Sequence, residues 1–240
     1  MPLPEAKWNV KVYGAFDKNQ VEAQQNAVMA WALLGNLGWT LNAVCGYWGN
    51  VEAESGFNPW RWQSDVVLSS DSPLIGYPGS GSTGHAYGLC QWDPAGKYIK
   101  APENLYHEYA GFGPNFSDQQ GSLYDGTAQV MFLNDNADYI PTQTFPMSYA
   151  EFKRSTADPR DLAKVWLLNF ERPYNQSTAA QEYRAGLAYW WWNFLSQGQP
   201  IVPGEPIVPP APPPVPPQPW DVKKSKFVFY LKPYWKRGLY

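Results

Sequence analysis

The sequence is poor in the residues from which metal sites and nucleophilic triads are built. Its 240 residues include two cysteines, Cys45 and Cys90, and two histidines, His85 and His107. These four residues have no metal-ligand spacing, and neither histidine lies beside a recognisable nucleophile motif. A disulfide framework usually contains more cysteines, so we expect two buried free thiols. No metal and no other cofactor is predicted.

Charge is scarce as well, and long apolar runs are missing. Only 16% of the residues are charged, and no apolar run reaches the length of about 20 residues that a transmembrane helix needs. The start, MPLPEAKWNV, lacks the features of a secretory signal, which predicts synthesis in the cytoplasm. Residues 1–200 carry 12 Lys and Arg against 19 Asp and Glu, a net charge of −7. An acidic body argues against nucleic acid as a partner, and no membrane is expected as one.

Aromatic residues are abundant. The chain contains 13 Trp and 16 Tyr, and aromatics make up 17% of it. One interpretation is that these rings fill the core, because each ring buries a large apolar area. The other is that some of them line a groove for flat, partly apolar ligands such as sugars.

Helical patterns account for most of residues 19–196. Residues 19–35 predict a first helix, and Thr40 is a good N-cap for a second that ends near Gly56. Gly46 and Gly49 lie inside the second helix, where we expect them to permit close packing. Further helices are predicted over 119–138, from the capping box Ser148–Glu151, from Asp158-Pro159 to Glu171, and over 178–196.

Residues 60–92 have a different composition. They include IGYPGSGSTGHAYGLCQW, which is rich in Gly, Ser and Pro and predicts a small β-hairpin region or a long loop ending in a short strand. We therefore predict a mainly α fold, formally α+β, in one domain over residues 1–199.

The C-terminal part is built differently. Ten of the 19 residues in 201–219 are proline, so residues 200–219 predict an extended linker that could span roughly 60 Å. We favour a spacer over a peptide ligand for another domain. Residues 220–240 are aromatic and basic, and we expect an anchor that docks on a partner rather than a disordered tail.

The stretch GNVEAESGFNPW places Glu54 in the last turn of the second helix. The helix C-terminus and the apolar neighbours Tyr47, Phe57 and Trp60 are expected to raise the pKa of its carboxyl. A carboxylic acid that is still protonated near neutral pH can donate a proton to a glycosidic oxygen. By position alone, an ordinary surface glutamate is the alternative. Glu52 lies on the other side of the helical wheel and is expected to face solvent.

Two segments together carry a family resemblance. ESGFNP followed by GLCQW resembles the lysozyme-like superfamily, in particular goose-type lysozymes and lytic transglycosylases. Longer stretches, WTLNAVCGYWGNVEAESGFNP, AYGLCQWDPAGKYI and STADPRDLAKVWLLNFERP, resemble the tail-associated lysozymes of short-tailed phages that infect Gram-positive bacteria. The resemblance covers roughly residues 20–196 and does not extend to residues 201–240.

The resemblance implies roles for particular residues. Glu54 is expected to be the general acid, and Gln91 is expected to border the substrate groove with Tyr87. Trp62 and Trp92 are either sugar platforms or core residues. Asn58 is expected only to shape the turn after Glu54.

A second carboxylate is required if the enzyme hydrolyses with inversion. It would lie about 6.5–9.5 Å from the acid, where it activates water. Asp65 is the favoured candidate and Asp93 the other. Glu171, in the NFERP segment, is expected either to form an ion pair that holds the fold or to be a second carboxylate in the cleft.

The predicted function is therefore that of a peptidoglycan hydrolase of the N-acetylmuramidase type, carried on a phage tail. Its partners would be peptidoglycan and, through residues 201–240, proteins of the tail knob or tip. It would be made in the host cytoplasm, reside in the virion and act at the bacterial cell wall during infection. The alternatives are a lytic transglycosylase, an inactive structural or wall-binding tail protein, and an endolysin. The A-Y-N-like segment typical of transglycosylases is not evident, which favours hydrolysis.

Overall fold

A computed structural model of the chain describes residues 8–11, 14–63, 86–99 and 125–197. These residues form a mainly α-helical fold, which confirms the predicted class. The helices are α1 (Val21–Asn36), α2 (Leu41–Glu54), α3 (Gly96–Ile99), α4 (Asp125–Asn136), α5 (Tyr149–Arg154), α6 (Pro159–Trp166) and α7 (Thr178–Ser196), and a π turn (Leu167–Glu171) follows α6.

Three helices begin where the sequence places their caps. The Thr40 hydroxyl accepts a hydrogen bond from the Ala43 amide at 3.1 Å, which starts α2. Ser148 forms a complete capping box at α5. Asp158 accepts a hydrogen bond from the Arg160 amide, and proline occupies the first turn of α6. Each cap satisfies backbone N–H groups that the first helical turn leaves without partners.

Helix α2 packs against both α6 and α7, and two glycines allow the close approach. A Cβ atom on Gly46 would lie 2.5 Å from Cβ of Leu162, and one on Gly49 would lie 2.3 Å from the carbonyl oxygen of Arg184. No larger residue fits between these backbones, which confirms the predicted role of both glycines. The approach also brings Arg184 of α7 alongside the end of α2.

Aromatic rings fill the space between these helices. Trp48, Trp166, Trp191 and Tyr47 are among the largest fully buried side chains. The rings of Tyr47 and Trp166 lie 4.9 Å apart, and those of Trp48 and Trp191 meet edge to face at 5.7 Å. For these rings the core-filling interpretation is confirmed.

The structure differs from the predicted elements at several places. Helix α4 begins at Asp125, and residues 119–124 of the predicted helix lie outside the described residues. The helix predicted to run to Glu171 changes to π geometry at Leu167. In the described parts of the predicted hairpin region, strand pairing is limited to two isolated antiparallel bridges, which join Tyr87 to Trp62 and to Trp92.

Glu52 does not face solvent, so that prediction is wrong. Its side chain is half-buried, and burial raises the pKa of its carboxyl to about 7. The segment that precedes α1 covers the Glu52 side of α2, and its residues Asp17 and Lys18 act electrostatically on the Glu52 carboxyl. The Phe16 amide of that segment donates to the carbonyl of Gly56 at 3.3 Å. A helical wheel cannot include such a covering segment.

Both cysteines are buried and free, as predicted. The hydroxyl of Tyr47 lies 3.4 Å from Sγ of Cys90. Burial raises the pKa of both thiols well above the ordinary value.

Candidate active site

Glu54 is the last residue of α2, and its carboxylate is held by α7. Oε1 of Glu54 accepts a hydrogen bond from Nη2 of Arg184 at 2.6 Å. The two side chains are 23% and 12% exposed, respectively. The glutamate therefore keeps access to solvent without extending into it. The guanidinium comes from a helix 130 residues further along the chain, and no pattern near Glu54 indicates it.

The turn after Glu54 is fixed by a buried asparagine. Nδ2 of Asn58 donates to the carbonyls of Lys11 and Gly14 at 2.7 and 2.8 Å. Oδ1 of Asn58 accepts from the Trp60 amide at 3.1 Å. Asn58 is fully buried, so its contacts agree with the predicted role in shaping the turn.

Gln91 lies on a segment that returns to this turn. Its backbone has a positive φ of 46°, and its Nε2 donates to the carbonyls of Arg61 and Gly88 at 3.0 and 2.9 Å. These bonds fix the orientation of the amide. Because the nitrogen is engaged within the protein, the amide oxygen is the atom that can serve a ligand.

Gln129 joins the two segments, and sequence reasoning missed it. Its Oε1 accepts from the Leu89 amide at 2.7 Å, and its Nε2 donates to the carbonyl of Pro59 at 2.8 Å. A Cβ atom on Gly88 would lie 2.5 Å from the same Oε1. The only hint in the sequence is a polar residue between the apolar Ala128 and Val130.

A cavity of about 840 Å³ lies beside residues 90–93, the Gln91 segment. Its volume falls within the range typical of ligand sites, about 300–1,000 Å³. The Gln91 segment and the end of the π turn supply much of its lining, including Gln91, Trp92, Asp93, Phe170, Glu171 and Arg172. Glu54 is not among the lining residues. The predicted acid is related to the cavity through Glu171, which lines the cavity and interacts electrostatically with Glu54.

The carboxyl of Glu171 has a neutral hydrogen-bond donor. Its Oε1 accepts from Nε1 of Trp166 at 3.1 Å. The two guanidinium groups that act on it are engaged elsewhere, Arg184 with Glu54 and Arg172 with Asp138, both at 2.6 Å. The ion pair expected for Glu171 is therefore not formed with any of the described cations.

Glu171 and Glu54 influence each other electrostatically. Although Glu171 keeps some exposed surface, its pKa is raised to about 8, mainly by the burial of its carboxyl and in addition by the negative charge of Glu54. The charges of Arg184 and Arg172 and the Trp166 hydrogen bond act in the opposite direction. At neutral pH the site thus contains a carboxyl that favours its protonated form, in the cavity and near Glu54.

Comparison with known proteins identifies the family. The model of the phage tail lysozyme family matches residues 25–195. This chain is a member of the phage tail lysozyme family. Morphogenesis protein 1 of Bacillus phage B103 is 29% identical over 164 residues, which cover 66% of this chain and 36% of that protein. The chain thus matches about a third of the length of that relative.

The family match includes Glu54, Gln91 and Glu171 and ends before the proline-rich segment. Membership places the chain among phage-associated, lysozyme-like proteins. Residues 201–240 lie outside both the match and the described residues, so the predicted linker and anchor stay predictions.

The aromatic candidates of this phage tail lysozyme occupy different environments. Tyr87 is only 1% exposed, and its ring packs against that of Trp62 at 4.6 Å. Trp92 stacks on Tyr98 at 4.8 Å and also lines the cavity. Of the three candidates, Trp92 is thus placed to meet a ligand in the cavity, Trp62 is half-buried, and Tyr87 supports the site from inside the core.

The remaining candidates are placed as follows. Asp93 lines the cavity, whereas Asp65, His85 and His107 lie outside the described residues. Within the described ranges, no three His, Cys, Asp or Glu side chains cluster closely enough to hold a metal ion. None of the helices described here combines the length and apolar character required to cross a membrane.

Proposed function

We propose that this chain is a muramidase that cleaves the glycan strands of the bacterial cell wall while carried on a phage tail. The observation that carries the proposal is the pair of coupled carboxyls, Glu54 and Glu171, beside a cavity that Gln91 lines. Two carboxyl groups with different environments are the usual equipment for cleaving a glycosidic bond. Here they lie in a member of a lysozyme family.

In the proposed reaction Glu54 is the general acid. A glycan strand enters the cavity, where Gln91 offers its amide oxygen and Trp92 an apolar surface. Glu54 gives a proton to the glycosidic oxygen as the bond to the anomeric carbon breaks. Arg184 positions the carboxyl and stabilises the negative charge that remains on it after the proton has left.

Replacement of the acid tests this role. Glu54→Gln removes the proton donor and should lower the rate of wall digestion by about 100-fold or more while the fold is retained. Zymography and turbidity loss on Gram-positive cell walls measure the rate. Glu52→Gln is the matched control, because Glu52 lies on the same helix but its carboxyl interacts with Asp17 and Lys18 rather than with Arg184; it should keep normal activity. Equal activity of Glu54→Gln and the wild type would refute the assignment.

Mass spectrometry of the products separates hydrolysis from transglycosylation. Hydrolysis adds water and leaves reducing muramic acid ends, whereas a lytic transglycosylase forms anhydro-muropeptides. We expect reducing ends. Anhydro products would replace the muramidase with a lytic transglycosylase and leave the role of Glu54 intact.

The location of the enzyme on the phage tail is a separate proposal, supported by separate observations. The family description and the name of the phage B103 relative both point to the virion. We propose that residues 201–240 tether the enzyme to tail proteins. Deletion of these residues should leave wall digestion unchanged and abolish incorporation into virions, as measured by immunoblot of purified particles. Normal incorporation of the truncated protein would refute the tether.

A further inference from the structure

Glu171 lies at a local irregularity of the helical backbone. Helix α6 changes to π geometry over Leu167–Glu171, and the chain then turns at Arg172, whose φ is 46°. Short π segments inside α-helical structure are rare and frequently occur at functional sites. A positive φ is also uncommon for a residue other than glycine. The irregularity ends at Glu171, which lines the cavity.

The partners of Glu171 leave its carboxyl available for chemistry. Its single hydrogen bond within the described residues comes from the Trp166 indole at 3.1 Å. Arg184 and Arg172, the nearby cations, form salt bridges with Glu54 and Asp138. A purely structural glutamate at this place would pair with one of them. Glu171 instead lies near two guanidinium groups that already form salt bridges with other carboxylates.

The titratable groups around Glu171 come from several elements. Those that act on it or respond to it are Glu54 and Tyr47 of α2, Cys90 of the Gln91 segment, Arg184 of α7 and the adjacent Arg172. Burial and the Glu54 charge disfavour an ionised Glu171 more than the two arginines favour it. The protonated form of Glu171 is therefore favoured at neutral pH.

We infer that Glu171 is the second catalytic carboxyl, the general base that activates water opposite Glu54. This inference rests on the proposed function. Glu54 donates its proton to the leaving oxygen as the anomeric C–O bond breaks. A water molecule forms the new bond to the anomeric carbon and gives a proton to the Glu171 carboxylate. After the reaction Glu54 is ionised, because its proton is on the leaving oxygen, and Glu171 is protonated, because it has taken a proton from the attacking water.

In the free protein Glu54 is in a salt bridge with Arg184, and burial favours the protonated form of Glu171. A new round of the proposed reaction needs a proton from solvent on Glu54 and the loss of the proton from Glu171. The assignment replaces Asp65 as the favoured water-activating residue and leaves Asp93, which also lines the cavity, as the competitor.

Paired substitutions with chemical rescue test the inference. Glu171→Gln keeps an oxygen that can accept the Trp166 hydrogen bond, so we expect it to fold while wall digestion falls by about 100-fold or more. Asp93→Asn tests the competing residue: it should lose much less activity than Glu171→Gln, and a larger loss at Asp93 would assign the base to Asp93 instead. Glu171→Ala with added azide should recover turnover and form a glycosyl azide, because the azide anion attacks without losing a proton. Azide should not rescue Glu54→Gln, whose leaving oxygen still lacks a proton.

The pH profile supplies a readout that a structural role would not change. The wild-type rate should fall on both the acidic and the alkaline side of its optimum. The residual rate of Glu171→Gln should no longer fall on one of these two sides. If the wild type digests walls and Glu54→Gln does not, while Glu171→Gln stays within roughly tenfold of the wild type, the inference is wrong and the proposed function stands. Loss of activity that azide does not restore in Glu171→Ala also contradicts it. An inactive wild type would overturn both proposals.

Discussion

The end of α2 and the π turn present the same chemical group in two different ways. Each of these helical segments ends in a glutamate, and a backbone with positive φ follows within three residues. At the end of α2 a guanidinium lies 2.6 Å from the carboxylate of Glu54, whereas at the π turn an indole N–H lies 3.1 Å from the carboxyl of Glu171. The two carboxyl groups therefore have different partners, although their local sequences give no reason to expect it.

The comparison shows that burial and the nearby charges, more than the helix end, distinguish the two carboxyls. Both glutamates experience the unfavourable end of a helical segment. Among the described residues, Glu54 has a cation in contact and Glu171 does not. Burial raises the pKa of Glu171 most, and the like charge of Glu54 raises it further. Arg184 pairs with Glu54, and its charge also acts directly on Glu171, whose pKa it lowers.

The largest effect is expected where α7 meets α2. In Gly49→Ala, the new methyl would lie 2.3 Å from the carbonyl oxygen of Arg184 and 2.9 Å from Cβ of Ala188. Overpacking against backbone should lower the free energy of unfolding by about 3 kcal/mol and move Arg184 away from Glu54. Chemical denaturation and wall digestion measure the two effects.

Gly186→Ala is the control for this substitution. Gly186 lies on the exposed side of α7, and a Cβ atom there meets nothing within 4 Å. It should stabilise the protein by up to about 1 kcal/mol through helix propensity and leave activity unchanged. If Gly49→Ala is as stable as the wild type, the close approach of the two helices is incorrect.

A smaller effect is expected when only the cation is removed. Arg184→Met should lower the free energy of unfolding by about 2 kcal/mol, because it leaves the mostly buried Glu54 carboxylate without its partner. Lys164→Met breaks the salt bridge to the exposed Glu182, 2.6 Å long, and should cost only about 0–1 kcal/mol. Thermal and urea unfolding of the two variants at pH 7 give the difference. Equal costs would show that the environment at the end of α2 resembles open surface.

The last effect is a change of stability with pH rather than a loss at one pH, and Glu171 introduces it. Its pKa in the folded protein is about 8, against an ordinary value of 4.5, so the folded state keeps a proton that the unfolded state releases between these values. The free energy of unfolding of the wild type should therefore decrease as the pH rises from about 4.5 to 8. Glu171→Gln should remove that decrease, so between pH 5 and pH 8 it should gain stability relative to the wild type by up to about 1.4 kcal/mol for each pH unit.

Glu52 provides the comparison within the same experiment. Its pKa is raised to about 7, so Glu52→Gln should remove a similar decrease that ends at lower pH. Glu52→Gln should also keep its activity, which Glu171→Gln should lose. Urea denaturation across pH 5 to pH 8.5 follows the stability of both variants. Parallel curves for the wild type and Glu171→Gln would contradict the protonated state assigned to Glu171.

Local chemistry made several elements predictable. The caps at Thr40, Ser148 and Asp158 could be identified because each signal lies within three residues of the helix that it starts. Gly46 and Gly49 indicated close packing, although the sequence did not say against what. Prediction failed for Glu52, where a helical wheel omits the covering segment, and for Gln129, whose two partners lie 40 and 70 residues away.

The sequence alone determined the helices, the buried aromatic core and the place of Glu54 at a helix end, because propensity, capping and hydrophobic period act over a few neighbouring residues. The tertiary structure decided which groups meet at that end. It brought Arg184 to Glu54 and placed Glu171 beside Gln91 in one cavity. The protonation of Glu171 depends on distances between charges and on the exclusion of water, and both exist only once α2, the π turn and α7 have packed together.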